Sequence, residues 1–131
     1  MEGQMVTVGN VMQSDSVTVE TGTSVVEAAK LMKSRNIESV LVTRKAKIIG
    51  IVTESDVVKK FLGGENTSYY LPVEVIMSSP LPGIEEGRPL MEAADLMEKH
   101  RTLYLGVTRA GAFIGLISVR DFLRPVPIDE F

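Results

Sequence analysis

Two short segments of this sequence place a hydroxyl group and a carboxylate at the same spacing. In residues 50–56 a glycine opens an apolar run, Thr53 closes it, and Asp56 follows three residues later. Residues 115–121 repeat this plan with Ser118 and Asp121. Such a pair caps the free N–H groups at the start of a helix. It can also hold the hydroxyls of a sugar, at a helix end that attracts anions. One copy indicates capping, whereas two copies predict a binding site.

The repetition extends far beyond these two segments. Residues 8–58 reappear at 73–123 without a gap. The matched pairs include Met12 with Met77, Gly22 with Gly87, Ala28 with Ala93, Met32 with Met97, Arg44 with Arg109, and Gly50 with Gly115. Repetition of this kind indicates supersecondary units that cannot bury their apolar faces alone. Two copies favour a closed, pseudo-two-fold pair, and we expect the function to lie in the cleft between related surfaces.

Composition limits the classes of function. The 131 residues are enough for one ordinary domain with a real core, since 44% of them are hydrophobic. A net charge of −3 argues against nucleic acid or an anionic membrane as the main partner. No cysteine and one histidine exclude disulfides, thiol catalysis and a His-rich metal centre. With no signal-peptide pattern and no long apolar stretch, we expect a cytoplasmic protein without a metal site or catalytic cofactor.

Each copy predicts the order strand, helix, strand, strand, helix, which is an α+β fold. The first helix begins near Ser24 in one copy and at Pro89 in the other. The predicted strands are 17–19, 39–43 and 48–52, then 103–108 and 113–117 in the second copy. Short turns between the last two strands of each copy predict antiparallel hairpins. One final helix begins near Thr53 or Ser55 and is stopped by Gly63-Gly64. The other begins near Ser118 and is ended by Pro125, before an extended tail.

Domain boundaries follow from the repeat. We place the first repeat, with its N-terminal segment, at 1–62 and the linker at 63–72. The second repeat, with the C-terminal tail, occupies 73–131.

The complete set of motifs resembles a tandem pair of CBS domains. The resemblance covers nearly the whole chain and includes VM before a strand, the helix TSVVEAAKLM, the junction RNIESVLV, and the glycine-to-aspartate ending. It implies two units packed as a pseudo-two-fold pair with two intervening clefts. Such clefts commonly bind adenosyl ligands, including AMP, ADP, ATP and S-adenosylmethionine, and CBS pairs usually act as regulatory sensors rather than enzymes.

The resemblance also implies which residues meet in each cleft. Cleft A would use Thr18 and Ser39 for the adenine edge and Asp121 for the ribose, with Arg120 facing phosphate. Its full set is Thr18, Ile37, Glu38, Ser39, Ser118, Arg120 and Asp121.

Cleft B departs from this pattern and is the weaker of the two. Its set is Gly83, Leu103, Tyr104, Thr53 and Asp56, with Glu54 beside them. Gly83 lacks the hydroxyl of Thr18, and Glu54 would repel a phosphate unless Lys59 or Lys60 offsets it.

Three classes of function remain open at this point. The first is a regulatory adenine-nucleotide sensor that acts on a separate partner protein. The second is a structural CBS pair that mediates oligomerisation without binding a ligand. The third is an enzyme, which we do not expect because no nucleophile–base pair is visible. We also expect a homodimer built on helix faces, which carry Val57, Val58, Phe61, Phe122 and Leu123.

Overall fold

Two three-stranded sheets organise the molecule in the computed structural model, which describes residues 5–123. In chain order the elements begin with α1 (Val8–Val11), β1 (Thr18–Glu20), α2 (Val25–Arg35), β2 (Ser39–Arg44), β3 (Lys47–Thr53), α3 (Glu54–Asp56) and a π-helix (Val57–Leu62). There follow a 3-10 turn (Val73–Val75), β4 (Gly83–Glu85), α4 (Leu90–His100), β5 (Tyr104–Arg109), β6 (Ala112–Ser118) and a 3-10 helix (Val119–Leu123). The predicted α+β fold and the order of elements in each repeat are confirmed.

Both sheets have the same topology. In the first, β1 runs parallel to β2 and β2 antiparallel to β3, with Ser39 opposite Thr53. In the second, β4 runs parallel to β5 and β5 antiparallel to β6, with Tyr104 opposite Ser118. In each sheet, the first two strands therefore begin at the end where the third strand finishes. That shared end is where the predicted site residues lie.

Tight turns close both hairpins, as the sequence predicts. Lys45 and Ala46 have φ of 52° and 65°, and Ala110 and Gly111 have φ of 52° and 84°. Two consecutive residues with positive φ match the twist of antiparallel strands joined by a two-residue loop.

The helix starts also follow the sequence. Ser24 caps α2, because its Oγ accepts a hydrogen bond of 3.0 Å from the Glu27 N–H. Pro89 occupies the same position before α4, in extended conformation. The inward faces of these helices are buried at Val25, Ala28 and Met32 in α2, and at Ala93 and Met97 in α4.

Two compact units divide the structure, and they do not coincide with the two repeats. The first unit is residues 16–81, and the second unit combines residues 5–15 with residues 82–123. Each repeat begins with a leading segment, residues 6–13 in the first repeat and residues 71–78 in the second. Each unit thus contains the sheet of one repeat and the leading segment of the other. The linker predicted at residues 63–72 lies within the first unit, and the division of the chain into two repeat domains stays a prediction.

The leading segments make equivalent backbone hydrogen bonds in the two units. In the first unit the Val25 N–H donates to Leu71 O at 2.7 Å, and the Val73 N–H donates to Thr23 O at 2.8 Å. In the second unit the Leu90 N–H donates to Val6 O at 3.0 Å, and the Val8 N–H donates to Arg88 O at 2.9 Å. The leading segment therefore satisfies the first N–H of each long helix, one of the groups that a helix leaves unpaired.

Each unit has its own aliphatic core. Apolar strand residues are buried in both units, and this group includes Val40, Val42, Ile51, Leu105, Val107 and Leu116. Ile49 and Ile114 are only partly buried and pack against the edges of the two cores.

Phe61 corrects one prediction. Its apolar side chain on a helix predicts an exposed association surface, but Phe61 is only 8% exposed and belongs to the core of the first unit. The reason is that the chain turns back after the π-helix and brings Leu71 and Val73 into the same core. The predicted C-terminal tail and the stop at Pro125 lie outside the described residues.

Candidate functional site

The aspartate of the first unit is held in a reciprocal cap. Thr53 ends β3, and its Oγ1 accepts a hydrogen bond of 3.0 Å from the Asp56 N–H. The Thr53 N–H in turn donates to Asp56 Oδ2 at 3.0 Å. Only 6% of Asp56 is exposed. The predicted capping role of this hydroxyl and carboxylate is therefore confirmed.

The second oxygen of Asp56 meets two further donors. Lys60 Nζ lies 3.0 Å from Asp56 Oδ1 and 3.3 Å from the Ile76 carbonyl oxygen. Ser78 Oγ lies 3.4 Å from the same Oδ1. The buried carboxylate is thus paired with a cation, as buried charges generally are. Lys60 therefore pairs with Asp56 and not with Glu54, whose charge it was expected to offset.

The aspartate of the second unit is held in a similar way. Asp121 Oδ2 accepts a hydrogen bond of 2.8 Å from the Ser118 N–H. Asp121 Oδ1 accepts one of 3.0 Å from Gln13 Nε2. Asp121 is 4% exposed. Gln13 and Ser78 stand at equivalent positions of the two repeats, so each motif aspartate contacts the same position of a leading segment.

A glycine in each motif permits this contact. Ser78 and Ile51 exchange two backbone hydrogen bonds of 2.8 and 3.0 Å, and Gln13 and Leu116 exchange two of 2.8 Å. A Cβ on Gly50 would lie 2.8 Å from Ser78 O, and a Cβ on Gly115 would lie 2.6 Å from Gln13 O. Distances of that size leave no space for a methyl group, so the motif glycine follows from the close passage of the leading segment.

In the first unit, the other predicted residues lie around the same end of the sheet. Thr18 opens β1, opposite Leu41, and Ser39 opens β2, opposite Thr53. The Glu54 N–H donates to Glu38 O at 2.9 Å, which ties the start of α3 to the segment before β2. Ile37 precedes that segment and is partly buried against the core.

The second unit repeats the arrangement with different side chains. Gly83 opens β4 opposite Gly106, and Tyr104 opens β5 opposite Ser118. The Val119 N–H donates to Leu103 O at 2.9 Å. Each unit therefore collects residues that were assigned to two different clefts. Clefts A and B both combine residues of the two units, and these groupings stay predictions.

A groove in the second unit is lined by two of the predicted site residues, together with other side chains. Its volume is about 450 Å³, and it runs between the C-terminal half of α4 and the 3-10 helix. The lining is mostly apolar and comprises Ala94, Met97, Leu103, Val119, Phe122 and Leu123, with Glu98, Arg101, Thr102 and Arg120 as its polar residues. Leu103 and Arg120, predicted in separate clefts, lie along this one groove.

Gln13, Ser78 and Lys60 were missed as partners of the motif aspartates. A signal for the first two was present, because each directly follows a methionine of the repeat, Met12 or Met77. Side chains in a leading segment gain a role only when the fold brings that segment to a distant strand, so the residue types alone could not identify them.

Two further features bear on the kind of site. Residues 5–123 contain no group of three or more His, Cys, Asp or Glu side chains placed to hold a metal ion. In the same range, no helix has the length and apolar character needed to cross a membrane.

Comparison with known proteins agrees with this geometry. The CBS domain model matches residues 8–63 and again residues 73–127. The chain therefore belongs to the CBS domain family, and the resemblance inferred from its motifs is confirmed.

Individual relatives support the same assignment. The 17.7 kDa protein in the bps2 3′ region of Acidianus ambivalens is 32% identical over 108 residues, covering 81% of this chain and 64% of that protein. The CBS-domain containing protein ATU1752 of Agrobacterium tumefaciens superposes with a TM-score of 0.82 at 27% identity, over 94% of this chain and 95% of that one.

A third relative was solved with ligands. The CBS domain pair of protein MJ0100 superposes with a TM-score of 0.78 at 22% identity, over 92% of this chain and 95% of that one. Its structure is a complex with 5′-methylthioadenosine and S-adenosyl-L-methionine. Against three curated relatives of 29 to 34% identity, the chain spans 61 to 64% of the relative's length.

Proposed function

We propose that this chain is a regulatory module that binds an adenine nucleotide or another adenosyl ligand and acts on a separate partner protein. The carrying observation is the pair of buried aspartates, each oriented by hydrogen bonds at the end of its sheet. The adenosyl complex of MJ0100 supports the ligand class. A ribose offers two hydroxyl donors, and a fixed carboxylate accepts them without first losing rotational freedom.

Cleft A is the stronger of the two proposed sites. Asp121 would accept the ribose hydroxyls, Thr18 and Ser39 would bond the adenine edge, and the exposed Arg120 would face the phosphates. In cleft B the ribose would meet Asp56, but Gly83 lacks the hydroxyl that Thr18 offers in cleft A, and Glu54 would repel a phosphate.

Calorimetry on matched variants tests the assignment. We expect Asp121→Ala to weaken ATP binding about tenfold or more, since a charge-assisted hydrogen bond is worth roughly 1.5–3 kcal/mol. Asp56→Ala removes an equivalent cap and serves as the matched control, with a smaller loss. Arg120→Ala should weaken ATP and ADP more than adenosine, because only the phosphates need the guanidinium. Equal losses from the two aspartate variants, or no binding of ATP, AMP or S-adenosylmethionine, would contradict the proposal.

A structural CBS pair without ligand is the second candidate function. The capping bonds of Asp56 and Asp121 favour it, because they give both aspartates a role in the fold that requires no ligand. In that case every adenosyl compound should leave the thermal unfolding midpoint unchanged. A ligand that binds the native state must raise the midpoint.

We also propose that the chain forms a homodimer through its exposed apolar helical residues. Val119 and Leu123 on the 3-10 helix line the groove of the second unit and remain exposed, Leu123 by 86%, and the exposed Leu103 lies beside them. Clusters of exposed apolar side chains mark association surfaces. Light scattering at micromolar concentration should give twice the chain mass, and Leu123→Asp should reduce it. A monomeric wild-type mass would contradict the proposal.

A further inference from the structure

We propose that Gln13 is a positioning residue for Asp121, and that it fixes the orientation in which this carboxylate meets the ribose hydroxyls of an adenosyl ligand. The role presupposes ligand binding and so rests on the proposed function. It adds a residue from the leading segment, more than 100 positions away in sequence from the aspartate it orients.

The backbone of Gln13 is fixed to β6. Its N–H donates to Leu116 O at 2.8 Å, and its carbonyl oxygen accepts from the Leu116 N–H at 2.8 Å. Gly115 lets the two strands approach this closely, since a Cβ there would lie 2.6 Å from Gln13 O. The side chain of residue 13 therefore starts from a fixed point on the strand that leads to Asp121.

The carboxylate is held at both of its oxygens. The Ser118 N–H binds Oδ2 at 2.8 Å, and Gln13 Nε2 binds Oδ1 at 3.0 Å. A terminal carboxylate torsion is otherwise broad, and one bond to each oxygen fixes the plane of the group.

The first unit has the same contact at the equivalent position, although the residue there is a serine and not a glutamine. Ser78 makes the same backbone pair with Ile51 and reaches the same oxygen of its aspartate, but at 3.4 Å. That distance is at the edge of hydrogen bonding, and Lys60 Nζ lies closer to the same oxygen at 3.0 Å. Since the fold already accepts serine at this position, Gln13→Ser is a substitution that it should tolerate.

Packing and positioning make different predictions for this residue. Gln13 is exposed whereas Asp121 is buried, so removing the amide loses little packing. A purely structural hydrogen bond would change the stability and leave the preference for a ribose unaltered. A positioning bond would change that preference, because the oriented oxygens are what distinguish a diol from a sugar without hydroxyls.

The test compares ATP with 2′,3′-dideoxy-ATP by calorimetry on the full chain. We expect wild type to prefer ATP, Gln13→Leu to reduce that preference about threefold to tenfold, and Gln13→Ser to fall between them. Ser14→Ala, at the exposed neighbouring residue, is the matched control and should keep the wild-type ratio. Should Gln13→Leu fail to fold, Gln13→Ser alone carries the comparison.

The two possible failures are distinguishable. A wild type that binds neither nucleotide overturns the proposed function and this role with it. A wild type that prefers ATP, together with Gln13 variants that keep the same ratio and only unfold at lower temperature, overturns the positioning role alone.

Discussion

The two units share a sheet topology but leave the third strand differently. In the first unit β3 continues through α3 into a π-helix, and Phe61 on that helix enters the core. In the second unit β6 continues into a 3-10 helix, where Phe122 is partly buried and Leu123 is 86% exposed beside the groove. The segment that follows the glycine-to-aspartate motif thus contributes a buried aromatic residue to the core in one unit and an exposed apolar residue beside the groove in the other.

The two motif aspartates of the candidate site also differ in the side chains that contact them. Both are buried and both cap a turn. Ser78 and Lys60 contact Oδ1 of Asp56, and Gln13 contacts Oδ1 of Asp121. The two repeats therefore keep the cap but differ in the side chain that the leading segment presents to the carboxylate.

The largest effect should come from the core residue that distinguishes the first unit. We expect Phe61→Ala to lower the free energy of unfolding by about 3–5 kcal/mol, the usual range for a buried aromatic residue. Val58→Ala, on the same helix but 58% exposed, should change it by less than about 0.5 kcal/mol. Urea denaturation measures both. Similar small losses would mean that Phe61 is not part of the core.

The motif glycines should follow. We expect Gly115→Ala and Gly50→Ala each to cost about 1–3 kcal/mol, because the new methyl group would overlap a backbone carbonyl oxygen of the leading segment. Gly115→Ala should cost more, since its contact is the shorter one, 2.6 against 2.8 Å. Gly87→Ala, where nothing lies within 4 Å of the new Cβ, is the control. Equal thermal midpoints for all three variants would argue against the close approach.

A smaller effect should separate the two helix starts. Ser24→Ala removes the hydrogen bond to the Glu27 N–H and should cost about 1 kcal/mol. Ser24→Asp keeps an acceptor at the cap and should retain most of the stability. In α4 the equivalent Pro89 makes no side-chain cap bond, so replacing it cannot remove one. If Ser24→Ala were neutral in chemical denaturation, the cap would not stabilise α2.

The smallest effect should be a pH dependence specific to the second hairpin. Hydrogen bonds from Thr108, then Gly111 and Ala110, lower the pKa of Glu85, and the Arg109 guanidinium lowers the pKa of Glu86. Carboxylates with a lowered pKa stabilise the native state above their unfolded pKa, and this contribution is lost as the pH falls through the folded value.

The double variant Glu85→Gln, Glu86→Gln should therefore lose less thermal stability than wild type between about pH 5 and pH 3. Both side chains are at the surface, so the difference should be small. Glu65→Gln, in the exposed linker, serves as the control. Identical pH profiles for wild type and the double variant would contradict the assignment.

Much of the fold could be predicted because local rules and the repeat agree. The strand alternation, Ser24, Pro89 and the hairpin turns each indicate the same order of elements in both copies. Strand β2, predicted at 39–43, occupies Ser39–Arg44. The capping role of the motif hydroxyl and carboxylate follows from neighbours three residues apart and needs no distant contact.

The sheet against which each leading segment packs could not be predicted in the same way. Residues 6–13 and 71–78 occupy equivalent positions of the repeat, so either segment is suited by pattern to either sheet. The choice depends on how the chain runs between them, which the repeated pattern of residue types does not reveal. Gln13 and Ser78 were missed for this reason, and Phe61 was misassigned because Leu71 and Val73 complete its core from beyond the linker.

The composition of the second unit has a consequence for synthesis. The first unit is one continuous stretch and can close once residue 81 has left the ribosome. The second unit needs residues 5–15, made early, to reach Leu116, made late. Contacts so far apart in sequence form slowly, and domains generally fold as they emerge. Residues 5–15 therefore cannot pair with Leu116 until the end of the chain has been made, which is after the first unit is able to fold.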